Sequence, residues 1–232
     1  MIGLKHAGSP PKIWLLALTI LSVCLTSVAF GQNSNGSSTD TSYYVGYFGN
    51  ANIPGFPDGR LDIINTGSTG GYSRRDGKTP IGDLCANIYV FTSDQQMVEC
   101  CSCFVSPNGH IQLSLNLNLT SNPLTTLPVN AGALKIVSSN TTSGGACNVG
   151  IFSVAATNYV PFGELRAWNT HVRQTIPPVG TTPALYTVTE TPLRLAYLKA
   201  NGSEISKLQS QCFSVQTLGS GHGRCTCGGV PQ

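Results

Sequence analysis

Three cysteines crowd into four residues, Cys100, Cys101 and Cys103, and a second Cys-x-Cys pair, Cys225 and Cys227, closes the chain. Successive side chains of a strand point to opposite faces, so Cys100 faces one way while Cys101 and Cys103 share the other. Adjacent Cys100 and Cys101 therefore need separate partners. Two Cys-x-Cys pairs on neighbouring strands suit a pair of parallel cross-strand bridges, one among the many pairings open to Cys85, Cys100, Cys101, Cys103, Cys147, Cys212, Cys225 and Cys227.

Two other uses of the clusters compete with staples. Zinc holds sulfur at about 2.3 Å, which brings tetrahedral thiolates within roughly 4 Å of one another, whereas residues two apart in a strand are separated by about 6.6 Å. A regular strand thus spreads Cys-x-Cys too widely for easy chelation, and a site completed by His222 would need Gly223 to Cys225 to form a turn. Catalytic dithiols usually sit as Cys-x-x-Cys at a helix N-terminus, where the dipole lowers the thiol pKa, and no cysteine has that setting. Disulfides are the expectation for all eight, with no metal and no cofactor.

The N-terminus agrees with an oxidising destination. Lys5, His6 and Lys12 precede residues 13–30 (IWLLALTILSVCLTSVAF), which carry no charge: a basic segment followed by the apolar core of a secretory signal. Small residues at Ser27, Ala29 and Gly31 place cleavage after Ala29 or Gly31. An uncharged run of this length is marginally long enough for a retained anchor, so any membrane contact runs through this segment alone. The Leu21-Ser22-Val23-Cys24 sequence faintly resembles a lipoprotein box, but Val23 stands where a small residue is normal. The expected organisation is a signal peptide over 1–31, a flexible polar N-terminus over 32–42, and a single β-rich domain over 43–232.

Loss of Lys5 and Lys12 with the signal lowers the formal charge from +3 to about +1. Phosphate-backbone binding requires several Lys or Arg on one face, and the only basic doublet is Arg74-Arg75 in a Gly-rich stretch, so nucleic acid is not an expected partner. Charged residues make up only 10% of the chain, leaving a surface of hydroxyls and amides such as extracellular β proteins present.

Strands dominate the reading. Residues 110–119 (HIQLSLNLNL) alternate apolar and polar throughout, predicting a half-buried strand, and residues 106–109 (SPNG) form the turn before it. Strands are also expected over 84–92 and 95–105, joined around Ser93-Asp94, and the three are expected to form one meander. Further strands are expected over 43–48, 60–65, 134–138, 149–155, 164–172 and 185–189. From Ser203, a plain N-cap residue, Ile205, Leu208, Cys212 and Val215 recur at helical spacing, predicting one short helix with Cys212 on its apolar face. The fold expected is a mostly β, antiparallel β-sandwich with one short C-terminal helix, stapled by disulfides. An immunoglobulin-like arrangement is an architectural analogy, since the Cys…Trp…Cys pattern of true immunoglobulins is absent.

Enzyme signatures are missing: there is no Gly-x-Ser-x-Gly elbow, no His-Glu-x-x-His helix and no Walker loop. Residues 219–223 (GSGHG) follow a helix instead of opening one, which makes them a C-cap and turn and not a phosphate cradle. Asp58, Asp62, Asp76 and Asp83 fall in or beside Gly-rich turns, which explains them without calcium. His110, His171 or an acidic pair would carry catalysis only by converging in a pocket. Tyr43, Tyr44, Tyr47, Tyr72 and Trp168 are the aromatics available to stack on a glycan, against the commoner role of core filling. Asn35, Asn118, Asn140 and Asn201 begin glycosylation sequons.

The run 84–91 (LCANIYVF), the Glu99-Cys100-Cys101-Ser102-Cys103 cluster, the 106–109 turn, residues 119–125 (LTSNPLT) and the stretch from Gly219 to Cys227 resemble a family of uncharacterised exported bacterial proteins. The resemblance implies export from a bacterial cell and assigns no activity. The expected function is that of an exported, non-enzymatic structural or binding protein of the envelope or cell surface, its ligand unknown. The alternative is an exported enzyme or a metal- or redox-handling protein built on the clusters Cys100 to Cys103 and Cys225 to Cys227.

Overall fold

A computed structural model describes residues 42–67, 82–125, 127–141, 146–149, 165–197 and 203–228. The predicted export signal, residues 32–41 of the polar tract, Arg74, Arg75, Tyr72, Asp76, Asn35 and Asn201 lie outside them, as does all but Val149 of the strand expected over 149–155. The described residues belong to one compact unit, Ser37–Gln232.

Among the described residues the fold has nine strands and one α-helix: β1 (Ser42–Phe48), β2 (Arg60–Asn65), β3 (Leu84–Thr92), β4 (Met97–Val105), β5 (His110–Ser114), β6 (Gly132–Asn140), β7 (Leu165–Ile176), β8 (Leu185–Pro192), β9 (Arg194–Tyr197) and α1 (Ser203–Leu218). They form two antiparallel sheets, one in the order β4-β3-β6-β1-β9 and one in the order β5-β2-β7-β8. Leu61, Ile63, Ile111, Leu113, Leu165 and Ala167 of the four-stranded sheet face Ala86, Ile88, Val90, Leu134 and Ile136 of the five-stranded sheet. Each such side chain contributes about 1.5–3 kcal/mol by leaving water. The expected sandwich is what these residues build.

Strands β3 and β4 of the five-stranded sheet are buried on both faces. Ile205, Leu208, Cys212 and Val215 of α1 cover Tyr89, Met97, Cys100 and Val137 on its outer side, which is why β3 and β4 bury almost every residue. Polar groups under the helix are mutually satisfied: Asn87 donates to Val137 O and Ser139 Oγ and accepts from Ser102 Oγ at 2.7 Å.

Two expectations give way. Residues 106–109 do turn, with Asn108 at φ 58 and Gly109 N–H donating to Ser106 O, but the turn carries the chain from β4 in one sheet to β5 in the other. The three strands are therefore not one meander. Nor does the alternating run 110–119 stay extended: β5 ends at Ser114, and Leu115–Leu119 form a single π-helical turn. The reason is the partner strand. Arg60 pairs with Ser114, and beyond it β2 has given way to Asp58 and Gly59, whose groups take over: Gly59 O accepts from Leu115 N and the Asp58 carboxylate from Asn116 N. Ser114 Oγ, which also bonds Asp58, caps Leu117 N, and Thr120 N–H closes the turn on Leu115 O. Periodicity reports facing, not the presence of a neighbour.

Strand β9 was not anticipated from the sequence. Leu193 is the pivot: its N–H donates to Ala167 O of β7, and past it the chain leaves β8 to pair with β1 in the other sheet. The β4–β5 turn and the β8–β9 pivot thus each tie an edge of one sheet to an edge of the other.

Candidate functional site

The eight cysteines among the described residues are all paired: Cys85–Cys147, Cys100–Cys212, Cys101–Cys225 and Cys103–Cys227. The opposite facing of Cys100 and Cys101 holds, one reaching up to α1 and the other into the sandwich. Residues 223–228 run beside the β4 edge, with Cys100 N–H donating to Gly223 O and a parallel bridge from Cys100 to Arg224, so the two Cys-x-Cys pairs bond rung by rung. Gly223 permits this approach: it sits at φ +83, and a Cβ there would lie 2.2 Å from Val215 Cγ1. The sulfurs of Cys101, Cys103 and Cys227 lie within 4.8 Å of one another, closer than backbone spacing suggested. Held in disulfides they are not thiolates, and the cluster acts as a mechanical staple.

A cavity with chemistry lies elsewhere, where β1 crosses β7 and β8. Cross-strand pairing sets His171 opposite Thr189, Arg173 opposite Thr187 and Asn169 opposite Thr191, which puts six polar side chains on one face of the β7–β8 hairpin. Strand β1 forms the facing wall. Asn169 Nδ2 donates to Tyr47 O at 2.6 Å, and Asn50 Nδ2 donates to Val172 O at 2.7 Å, so two amides fix β1 against β7. The exposed Tyr47 ring stacks on the His171 imidazole, centroids 4.3 Å apart.

This stacked pair separates two clefts. One, of about 620 Å3, is lined by Tyr47, Asn50, His171, Arg173, Thr187 and Thr189, among others. The second, of about 530 Å3, runs from the same Tyr47 and His171 past Asn169, Thr191 and Arg194. Both fall in the roughly 300–1,000 Å3 range usual for ligand sites. Burial pushes the His171 pKa below its ordinary value, and its Nε2 lies 2.8 Å from Thr191 Oγ1. The imidazole is therefore a neutral platform near pH 7, and the groove's positive charge comes from Arg173 and Arg194. No acidic residue lines either cleft among the described residues. Asn169, 1% exposed, keeps Oδ1 without a hydrogen-bond partner, an acceptor costing about 1–3 kcal/mol while unmet.

The other singled-out residues are occupied. His110 Nε2 lies 2.8 Å from Asp62 Oδ1, to which Gln112 also donates, on the outer face of the four-stranded sheet beside Arg60, Trp168 and Glu190. Asp58 caps the π-helical turn, and Ser114 bonds to it instead of His110, so no serine completes a triad there. Asp83 is buried. His222 is exposed on the turn after α1, where its N–H donates to Gly219 O, matching the expected cap. Asn118 spends its amide on Ser114 N and Thr226 Oγ1. Tyr43 and Tyr44 pack against the two cores.

Of the groove, the sequence reading named only Tyr47 and His171. Asn169, Arg173, Arg194 and the threonines went unnamed, although Thr187-Val188-Thr189-Glu190-Thr191 holds a period-two hydroxyl signal that marks one face of a strand.

No protein-family model and no curated protein sequence matches the chain. Among solved structures it is similar to the Anabaena sensory rhodopsin transducer, with a TM-score of 0.28 and 18% identity over 43% of this chain and 86% of that one. No helix among the described residues is long and apolar enough to cross a membrane.

Proposed function

We propose that this chain is an exported, non-enzymatic binding protein whose groove beside Tyr47 and His171 takes carbohydrate. The observation that carries the reading is the pairing of an exposed aromatic ring with a ladder of hydroxyl and amide groups. Sugars offer flat C–H faces for stacking and hydroxyls that both donate and accept, and that combination suits Tyr47 flanked by Thr187, Thr189, Thr191 and Asn169. Four disulfides favour an oxidising compartment, and the apolar run 13–30 supplies the export route.

The enzyme reading is less well supported. His171 has no carboxylate partner among the described residues, and the His110–Asp62 pair has no nucleophile bonded to it. The test is native affinity electrophoresis through gels cast with soluble neutral and acidic polysaccharides, with a parallel assay for newly released reducing ends. Retardation by at least one polymer, weakened about five- to tenfold in Tyr47→Ala by loss of stacking, is expected without chain cleavage. Cleavage abolished by Asp62→Asn would contradict the reading, as would free migration through every polymer.

A further inference from the structure

We infer that the groove selects acidic glycans, whose sugar units carry carboxylate or sulfate groups. The inference rests on the carbohydrate reading above and adds charge to it.

Each cleft contributes one arginine, Arg173 to the first and Arg194 to the second. Both are exposed, and neither forms an ion pair among the described residues, where the ion pairs are His110–Asp62 and Lys135–Glu204. Lys135 and Arg166, by contrast, are engaged: Lys135 is held by Glu204 and the rings of Tyr43 and Phe91, and Arg166 donates to Tyr44 Oη and Leu165 O. Two unneutralised guanidiniums flanking a neutral stacking platform are a place for two anionic groups on one extended ligand. A planar guanidinium binds carboxylate or sulfate through paired N–H donors. With no carboxylate on the walls, nothing in the groove repels such a ligand.

The second requirement comes from Asn169. Its Nδ2 is spent on Tyr47 O, its Oδ1 is unmet, and the residue is almost fully buried at the base of the second cleft. An unmet acceptor in that wall favours a neighbouring hydroxyl, which can donate, over an ionised acid, which brings only acceptors. The ligand therefore needs anionic groups and free hydroxyls on the same units. A uronate or a sulfated hexose has both; a simple anion has only the first and a neutral glycan only the second.

The test uses matched polymers that differ only in charge: polygalacturonate against its methyl ester, and dextran sulfate against dextran. The two pairs also distinguish carboxylate from sulfate as the preferred anion. The full mature chain is expected to bind at least one charged member about tenfold more tightly than its neutral counterpart, and this preference should fall away at high salt. Arg173→Ala and Arg194→Ala should each weaken binding to the charged polymer by about tenfold. Arg60→Ala, on the outer face of the four-stranded sheet and away from both clefts, should leave it unchanged. Asn169→Asp, which puts a carboxylate in the cleft wall and replaces the amide donor to Tyr47 O, should weaken binding of the anionic polymer more than that of its neutral counterpart, a selectivity that loss of the groove's fold alone would not produce. Equal affinity for charged and neutral members overturns the acidic-glycan inference and leaves the carbohydrate groove standing. Equal losses in Arg60→Ala and the groove variants also overturn it, by showing attraction to overall charge. Binding to none of the four overturns both readings.

Discussion

Glu99 sits at 0% exposure, facing the interior of the sandwich beside Cys101. Its Oε1 accepts from Asn122 N at 2.9 Å while Oε2 has no partner. Burial outweighs that hydrogen bond and raises its pKa from 4.5 to about 8. The folded state therefore keeps a proton that the unfolded chain releases near pH 4.5, and stability fully present below that pH is lost as pH rises towards 8. Glu99→Gln removes the titration. It should be more stable than the parent at pH 8, by at most about 5 kcal/mol from the size of the shift, and the gap should close towards pH 4.5. Urea melts at several pH values measure this; a gap that does not vary with pH would contradict the burial argument. The Glu99-Cys100-Cys101 cluster drew attention for its cysteines, and nothing in the local sequence marks the carboxylate as buried, because its burial depends on residues brought in from elsewhere, Asn122 among them.

Among the elements, the paired bridges between β4 and the C-terminal segment are partly redundant. Cys101–Cys225 and Cys103–Cys227 each span 124 residues, but Cys100–Cys212 already closes 112 of them, so either alone adds a ring of only about 15 residues, worth about 3 kcal/mol in the chain-entropy estimate. Once one is closed, the other closes only a ring of a few residues, worth about 2 kcal/mol. The double variant Cys103→Ala/Cys227→Ala should thus lose about 2 kcal/mol in urea melts, and removal of both bridges with Cys100–Cys212 intact about 5 kcal/mol; losses near about 5 kcal/mol for each bridge separately would contradict the nesting. Facing was legible at this scale: the alternation at Cys100, Cys101 and Cys103 foretold that Cys100 faces away from the other two, and the period of Ile205, Leu208, Cys212 and Val215 located the helix. Partnership was not. The run 110–119 reads as one strand because alternation says which side faces the core, and only the end of β2 at Arg60 decides where pairing stops.

At the scale of the molecule, the sandwich brings together residues distant in sequence. Tyr47 and His171 were visible singly as an aromatic and a titratable group, but their stacking depends on β1 of one sheet crossing β7 of the other, and no local pattern encodes that crossing. Four disulfides staple the scaffold that carries the groove, and the proposed export would take the chain through an oxidising compartment where such bridges persist. The most direct test is mass spectrometry of the chain recovered after expression in an exporting bacterial host, digested without reduction. An N-terminus at Phe30 or Gln32 with no free thiol is predicted, together with peptides linked as Cys85–Cys147, Cys100–Cys212, Cys101–Cys225 and Cys103–Cys227. An intact Met1 with free thiols at Cys101, Cys103, Cys225 and Cys227 holding stoichiometric zinc would contradict it.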